Sequence, residues 1–430
     1  MTEAASGVTR AIVVATGPAA LAVVGGLPLA VRAVLTLREM GVSEVGVAAG
    51  AQHAAVTAAL GRRGISAAAE PSTGAAPAAP TLIVAGDVLF EGTVLEPLLA
   101  PMEPGRVMIL RTSGSQPRPI WAVRCFGPLV SMLVNELRSG TPTLDEAWKA
   151  KGTQDAVPIL PGEGLCMPLD ADHTADMLTD GLLLAQARKT ATIDGYLAAL
   201  LDRHLSRFLT HQLLGSPVTP NQITVVSIVV GLAGALGLAT VSYAARLAGV
   251  LGLLASSVLD GVDGELARAR REQSPLGARL DLAGDYIVNF AVFVGLGIGL
   301  GRQGLSRHGL WAALVLLLGV VAAMLTMHAL LNRPALRSSD DLHGPREGGG
   351  LAATPVATVI QKIGGRDYTY LLLGAALAGR LEWFLYAAAA GAWAFVGSLL
   401  AYSFRRREVR STRDILPRGG RSRCCRAPRP

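Results

Sequence analysis

In the first half of the chain, short apolar runs alternate with patterns of helical period. Ala11–Ala15 reads as a buried strand, Leu29–Met40 as a helix stopped by Gly41, Val45–Ala49 as the next strand and Thr81–Ala85 as another. Strands alternating with helices predict an α/β layer with a mostly parallel sheet. Gly74–Pro80 is a loop of small residues. Near residue 190 the pattern changes. Apolar runs lengthen to about 222–243, 244–263, 280–300 and 309–331, and a block at 368–404 is long enough for two more if it turns near Gly379-Arg380. A bilayer crossing takes roughly 20 apolar residues, so the second half predicts about six transmembrane helices.

Between the halves, Asp194–Leu214 sorts its residues by face. Leu197, Leu200, Leu201, Leu205, Phe208 and Leu209 share one side, and Arg203, His204, Arg207 and His211 take much of the rest. Two readings stay open: a helix resting on the membrane surface, or a linker helix packed on the first domain. The boundaries that follow are 1–188 for the α/β domain, 189–218 for the linker helix, 219–405 for the membrane domain and 406–430 for a basic tail.

Composition supports this division. Only 17% of the 430 residues are charged, yet the net charge is +7. The excess gathers after the last apolar run, from Arg405 to Pro430, and in Glu265–Glu272 and Arg333–Arg346. Basic segments beside apolar spans mark the cytoplasmic side, so the reading is a multi-pass protein with both termini in the cytoplasm. The basic tail then serves the membrane rather than a nucleic acid. Arg246, Arg302 and Arg307 depart from the bias. The opening residues lack the form of a signal peptide, because Gly17, Pro18, Gly25, Gly26 and Pro28 break the first apolar run. The four cysteines, Cys125, Cys166, Cys424 and Cys425, show no zinc spacing. The adjacent pair in the tail reads as reduced thiols, with acylation as the other use.

The chemistry concentrates in two apolar segments. Asp260 and Asp263 are three apart, and Asp281 and Asp285 four apart, so on helices each pair shares a face. A carboxylate in a membrane helix is costly unless paired or hydrated. Four together call for cations, and hard oxygen ligands suit Mg²⁺, Mn²⁺ or Ca²⁺. Two such ions could clamp a diphosphate. Gly264 and Gly277 leave room for close approach, Arg268 offers a forked donor to phosphate, and Ser274-Pro275 marks the turn between the segments. Salt bridges to Arg268, Arg270, Arg271 and Arg279 would explain one of these acids singly, not the recurrence.

The pattern DxxDGxxAR, eight residues, then GxxxDxxxD resembles the signature of the CDP-alcohol phosphatidyltransferase family, with Asp260, Asp263, Gly264, Ala267, Arg268, Gly277, Asp281 and Asp285 at its fixed positions. Thr219-Pro220-Asn221-Gln222-Ile223-Thr224, which opens the first long run, is also similar. The resemblance covers about residues 190–405. It implies six transmembrane helices, two metal ions, a CDP-linked alcohol donor, an alcohol acceptor and a homodimer. It also implies metal ligation by Asp260, Asp263 and Asp281, with Asp285 as a ligand or as the base that deprotonates the acceptor. Gly264, Ala267, Arg268 and Gly277 would line the CDP site. Acceptor phosphates would want arginines such as Arg279, Arg333 or Arg366.

The first half resembles sugar nucleotidyltransferases at Val24-Gly25-Gly26-Leu27-Pro28-Leu29, at Leu37–Val42 and at Ala85-Gly86-Asp87, with Asp170 placed as a second metal-binding acid. The fusion looks like the bifunctional inositol-phosphate cytidylyltransferase and di-myo-inositol phosphate phosphate synthases. Lys189, Asp194-Gly195, Arg203 and Arg366-Asp367-Tyr368 look like that subgroup too. One departure matters: Thr16–Val23 has neither GxGxR nor a lysine to hold a triphosphate. The expectation is a degenerate nucleotidyltransferase-like domain. Three competing readings are a bifunctional enzyme with CDP-inositol as donor, a transporter using His328 and Asn289, for which no internal repeat speaks, and a structural pseudoenzyme, against which every motif position of the membrane domain is kept.

Overall fold

The computed structural model describes residues 8–65, 80–100, 106–111, 119–139, 141, 143–152, 155–159, 161–190, 201–304, 307–331 and 367–415. Gly74–Ala79, Asp194, Gly195, Arg333, Arg366, Cys424 and Cys425 lie outside them. The chain divides into two compact units. One comprises 1–190, 207–218 and 264–273, and the other 191–206, 219–263 and 274–430.

The first unit is α/β. Its elements are β1 (Arg10–Val14), β2 (Val23–Val24), β3 (Leu27–Pro28), α1 (Leu29–Glu39), β4 (Glu44–Ala48), α2 (His53–Gly61), β5 (Thr81–Ala85), β6 (Val88–Phe90), α3 (Gly92–Leu99), β7 (Met108–Arg111), β8 (Ile120–Cys125), α4 (Pro128–Arg138), α5 (Leu144–Lys151), β9 (Val157–Ile159), β10 (Cys166–Pro168) and α6 (Ala175–Thr190). Six strands form one sheet in the order β4-β1-β5-β8-β7-β9. β1 pairs in parallel with β4 and β5, and β7 with β9. β8 runs antiparallel to both of its neighbours, so the sheet is mostly parallel, as expected, with β8 as its one reversed strand. The link between Arg111 and Ile120 is too short for a crossover helix, which forces β7 and β8 to pair as a hairpin. β1 and β5 are buried on both faces and read as unbroken apolar runs, as central strands do. Gly25 and Gly26, at φ +57° and +78°, make the tight turn between β2 and β3, a turn that needs positive φ at both positions.

The linker appears as α7 (Arg203–Leu213). Its buried positions are polar, Ser206 and Thr210, and Asp202 just before it is buried too, whereas Leu201, Leu205 and Phe208 are exposed. The apolar face is therefore not the one packed against the described protein.

The second unit is helical: α8 (Pro220–Leu238), most of α9 (Tyr243–Arg270), α10 (Pro275–Arg302), α11 (Arg307–Leu331), α12 (Tyr368–Leu377) and α13 (Leu381–Ile415). Among the described residues four helices are long and apolar enough to cross a membrane: Pro220–Leu238, Tyr243–Arg270, Pro275–Arg302 and Leu381–Leu400. Two shorter apolar stretches are His308–Ala323 and Tyr368–Leu377. The expected turn at Gly379-Arg380 is present, with Gly379 at φ +65°. Large apolar side chains such as Val229, Leu236, Trp311, Leu318 and Trp383 face outward, as they do where lipid is the solvent.

Starts and packing follow from named residues. Thr219 caps α8 in a reciprocal capping box with Gln222, and Pro220 occupies the first turn, where its missing N–H costs nothing. Ser274 caps α10 by accepting from Gly277 N at 3.0 Å. The α8–α10 contact is a seam of small residues: a Cβ at Gly295 or Gly299 would collide with the carbonyl oxygens of Ala235 or Leu238. Such close approach is how membrane helices gain packing energy. Arg246 donates to Thr240 O at 2.7 Å and Gly299 O at 2.6 Å, and Arg302 to Ala239 O at 3.1 Å. These two arginines satisfy open carbonyls at helix ends, which accounts for them outside the basic segments.

Candidate active site

Three of the four aspartates meet. One carboxylate oxygen from each of Asp260, Asp263 and Asp281 lies within 4.8 Å of the others. Asp260 and Asp263 come from one face of α9, and Asp281 comes from the second turn of α10. Asp263 is buried and Asp260 half-buried. Asp285 stands one turn beyond Asp281, exposed, and is not among the three clustered oxygens. Anionic oxygens this close, flanked by apolar helix, repel strongly at low dielectric, and a divalent cation with oxygen preference would remove the penalty. The donor set therefore fits Mg²⁺ or Mn²⁺.

The surroundings hold the acids in place. Thr224, buried on α8, donates a short hydrogen bond to Asp263 Oδ2. Ser256, one turn before Asp260, donates to Ser227 O at 2.7 Å and pins α9 to α8. Ser257 donates to the buried Asp202 at 3.1 Å, and Tyr370 of α12 donates to the same carboxylate. A Cβ at Gly277 would come within 2.8 Å of Asn221 Oδ1, so the glycine lets the α10 start approach the α8 start. Further along α9, a Cβ at Gly264 would sit 3.1 Å from the Arg268 guanidinium. Ala267 is half-buried and Arg279 exposed.

Thr224, Ser256, Ser257, Asp202 and Tyr370 received no role from the sequence. The available signal was a hydroxyl or acid inside an apolar run, which is costly unless bonded. Asn289, weighed as part of an ion path, bonds Tyr368 Oη at 2.5 Å and donates to Asp285 O at 2.8 Å, so helix packing uses its amide. His328 lies where side chains are not described. Asp367 is buried at the start of α12.

In the first unit, Asp87 follows β5 and is largely buried, which raises its carboxyl above the ordinary range. Leu169 N donates to Asp87 O at 2.9 Å, so the β6–β10 ladder brings Asp170 to the same end. Partial burial pushes Asp170 up, but its bonds to the His173 ring and to the N–H groups of Asp172 and His173 prevail and hold it low. Lys189 pairs with Glu91 at 3.0 Å. After β1 the chain passes through a short 3-10 turn, Pro18–Leu21. The first cation beyond Arg10 is Arg32, whose Nη2 donates to Val24 O, Gly25 O and Ala269 O at 2.8, 3.1 and 2.6 Å.

Residues 217–397 match the family model of CDP-alcohol phosphatidyltransferase. This segment is a CDP-alcohol phosphatidyltransferase domain. The four long apolar helices among the described residues make the protein an integral membrane protein. The chain is similar to the bifunctional IPC transferase and DIPP synthase of Thermococcus kodakarensis, 37% identical over 112 residues, which is 26% of this chain and 25% of that protein. It is also similar to the protein of the same name from Rubrobacter xylanophilus, 33% identical over 162 residues, 37% of this chain and 35% of that one. The matched stretches thus span only a quarter to a third of these relatives. Among solved structures, Mycobacterium tuberculosis phosphatidylinositol phosphate synthase in complex with manganese and citrate aligns at 23% identity and TM-score 0.32, covering 46% of this chain and 88% of that one.

Proposed function

We propose that the protein transfers a substituted phosphate from a CDP-alcohol to an acceptor alcohol and releases CMP. The observation that carries this is the meeting of Asp260, Asp263 and Asp281 at the fixed positions of the family pattern. Asp260, Asp263, Asp281 and Asp285 would hold two Mg²⁺ or Mn²⁺ ions, which supply charge neutralisation for the diphosphate. Arg268 would donate to a phosphate oxygen, and Gly264, Ala267 and Gly277 would border the cytidine and diphosphate. Asp285 would take the acceptor proton as the acceptor oxygen attacks the β-phosphorus, while the bond to the CMP oxygen breaks.

The same reading extends to six crossings, with α11 and α12 completing the four long helices, and with both termini cytoplasmic. The domains would run 1–188, 189–218, 219–405 and 406–430. The exposed Leu201, Leu205 and Phe208 of the linker helix would lie in the lipid interface, and two copies would pair in the membrane. The names of the relatives favour an inositol phosphate acceptor. They also support a second reading with CDP-inositol as donor, in which the first domain would make that donor. The test is to incubate membranes holding the protein with Mg²⁺ and a panel of CDP-alcohols, including CDP-diacylglycerol and CDP-inositol, and to measure CMP. Release that vanishes in a membrane-inserted Asp263→Asn variant is expected. Full activity in that variant would sink the proposal.

A further inference from the structure

The helix that carries Asp260 and Asp263 ends, seven residues after Asp263, inside the first unit. A helix end leaves its last carbonyls without partners and carries partial negative charge. Here cations from the α/β domain meet those carbonyls. Arg32 of α1, itself buried, donates to Ala269 O at 2.6 Å while also holding Val24 O and Gly25 O of the β2–β3 turn. Arg63, just past α2, donates to Arg270 O at 3.0 Å and pairs with Glu272 at 3.2 Å. Ala269 is fully buried in a satellite core with Val24, Leu29, Leu178 and Leu182. Both glycines of the turn are needed for this fit, because a Cβ at Gly25 would strike the Arg32 guanidinium and one at Gly26 the stem of Arg270.

A second observation points the same way. Arg271, the next residue, has φ +53° and is the one described residue other than glycine with a positive φ. Glu272 N closes the turn by donating to Ala267 O at 2.8 Å. Helices usually place glycine where Arg271 stands, since a side chain there costs about 1–2 kcal/mol. The strained turn is held from outside: Arg271 pairs with Glu39 and donates to Thr36 Oγ1 at 2.8 Å, both on α1. Strain of this kind persists only where surrounding contacts over-determine it. Arg270, meanwhile, donates to Leu213, Leu214, Ser216 and Val218 carbonyls, fixing the segment between α7 and α8 to the same helix end.

We infer that the α/β domain is a positioning clamp for the α9 helix, with Arg32, Arg63 and the Arg271 turn fixing the register in which Asp260 and Asp263 are presented. The inference rests on the proposed metal role of these acids. It gives the first domain a part in the transfer reaction that does not require it to bind a nucleotide. Arg32 and Arg63 are positioning residues, acting through the helix end.

The test uses the full-length protein in detergent, with Arg63→Ala, Arg63→Lys and Arg32→Ala variants. Three quantities are read: Mn²⁺ affinity by electron paramagnetic resonance, amide hydrogen exchange within 264–272, and CMP release. Arg63→Ala should weaken Mn²⁺ binding about two- to five-fold, the scale of a lost cation at a helix C-terminus, and should speed exchange in 264–272. Arg63→Lys should recover most of both. Arg63 is partly exposed, so its loss leaves the core intact even if Arg32→Ala unfolds the domain. Unchanged exchange in Arg63→Ala, or faster exchange with Mn²⁺ affinity and turnover unaltered, would overturn the inference. Wild-type protein that binds Mn²⁺ but releases no CMP from any CDP-alcohol would instead defeat the proposed activity, and the metal affinities would still judge the clamp.

Discussion

At the scale of residues, the candidate site depends as much on what bonds the carboxylates as on the carboxylates themselves. Asp263 is buried, and its Oδ2 accepts from Thr224. Partners of this kind orient a ligand and typically change metal affinity or activity by about 10- to 100-fold when removed. Thr224→Val keeps the volume and loses the donor, so Mn²⁺ affinity should fall by about ten-fold or more, while Thr224→Ser should hold it; titrating Mn²⁺ binding in both variants checks this. Asp285 makes a different case, since it is exposed and stands outside the oxygen cluster. If it serves mainly as base, Asp285→Asn should lower turnover far more than it weakens CDP-alcohol binding. Recovery of the full rate by raising Mg²⁺ or Mn²⁺ would show that it only holds an ion. The pattern of acids was legible in the sequence because carboxylates stand out in apolar runs. Thr224 stood in the family-like Thr219–Thr224 entry but took no role there, because a hydroxyl is common in membrane helices and its partner lies on another helix. Arg32 and Arg63 were invisible for a related reason: the α9 carbonyls they meet, Ala269 O and Arg270 O, are main-chain atoms more than 200 positions away.

At the scale of elements, helix ends and seams set where the acids meet. Capping chemistry was readable: Thr219-Pro220 and Ser274-Pro275 start α8 and α10 as their residue types dictate. The strands Ala11–Ala15, Val45–Ala49 and Thr81–Ala85 fall within one residue of β1, β4 and β5. The direction of β8 was not readable, because periodicity says nothing about which neighbour a strand chooses. The seam between α8 and α10 was also hidden, since small residues in an apolar run look alike whether they face lipid or a helix. Its geometry makes a graded prediction. A side chain at Gly295 must displace the Ala235 carbonyl, whereas nothing lies within 4 Å of a Cβ at Gly301. Gly295→Val should therefore destabilise the helical unit by about 1–3 kcal/mol or more and lower its thermal midpoint in detergent. Gly301→Ala should leave the midpoint close to that of the wild type. Equal midpoints for all three proteins would mean that α8 and α10 do not pack through this seam.

At the scale of the whole molecule, the question is what an α/β domain does beside a membrane transferase domain. A nucleotidyltransferase needs cations to hold the triphosphate as pyrophosphate leaves. Between β1 and the β2–β3 turn this chain offers none, and the first cation downstream, Arg32, is spent on three main-chain carbonyls. The two acids expected of such a site, Asp87 and Asp170, live in unequal surroundings. Asp87 is largely buried, which raises its carboxyl above the ordinary range, while Asp170 is bound by its own loop through His173 and two N–H groups. A metal shared by the two would have to draw Asp170 out of that turn. The full-length protein given CTP, Mg²⁺ and inositol phosphate should therefore release no pyrophosphate above background, even where the same preparation releases CMP from a CDP-alcohol. Pyrophosphate release that is lost on Asp87→Ala would reverse this conclusion. The chain would then be a two-step enzyme making its own CDP-linked donor, with the phosphates held by groups other than those between Thr16 and Val23.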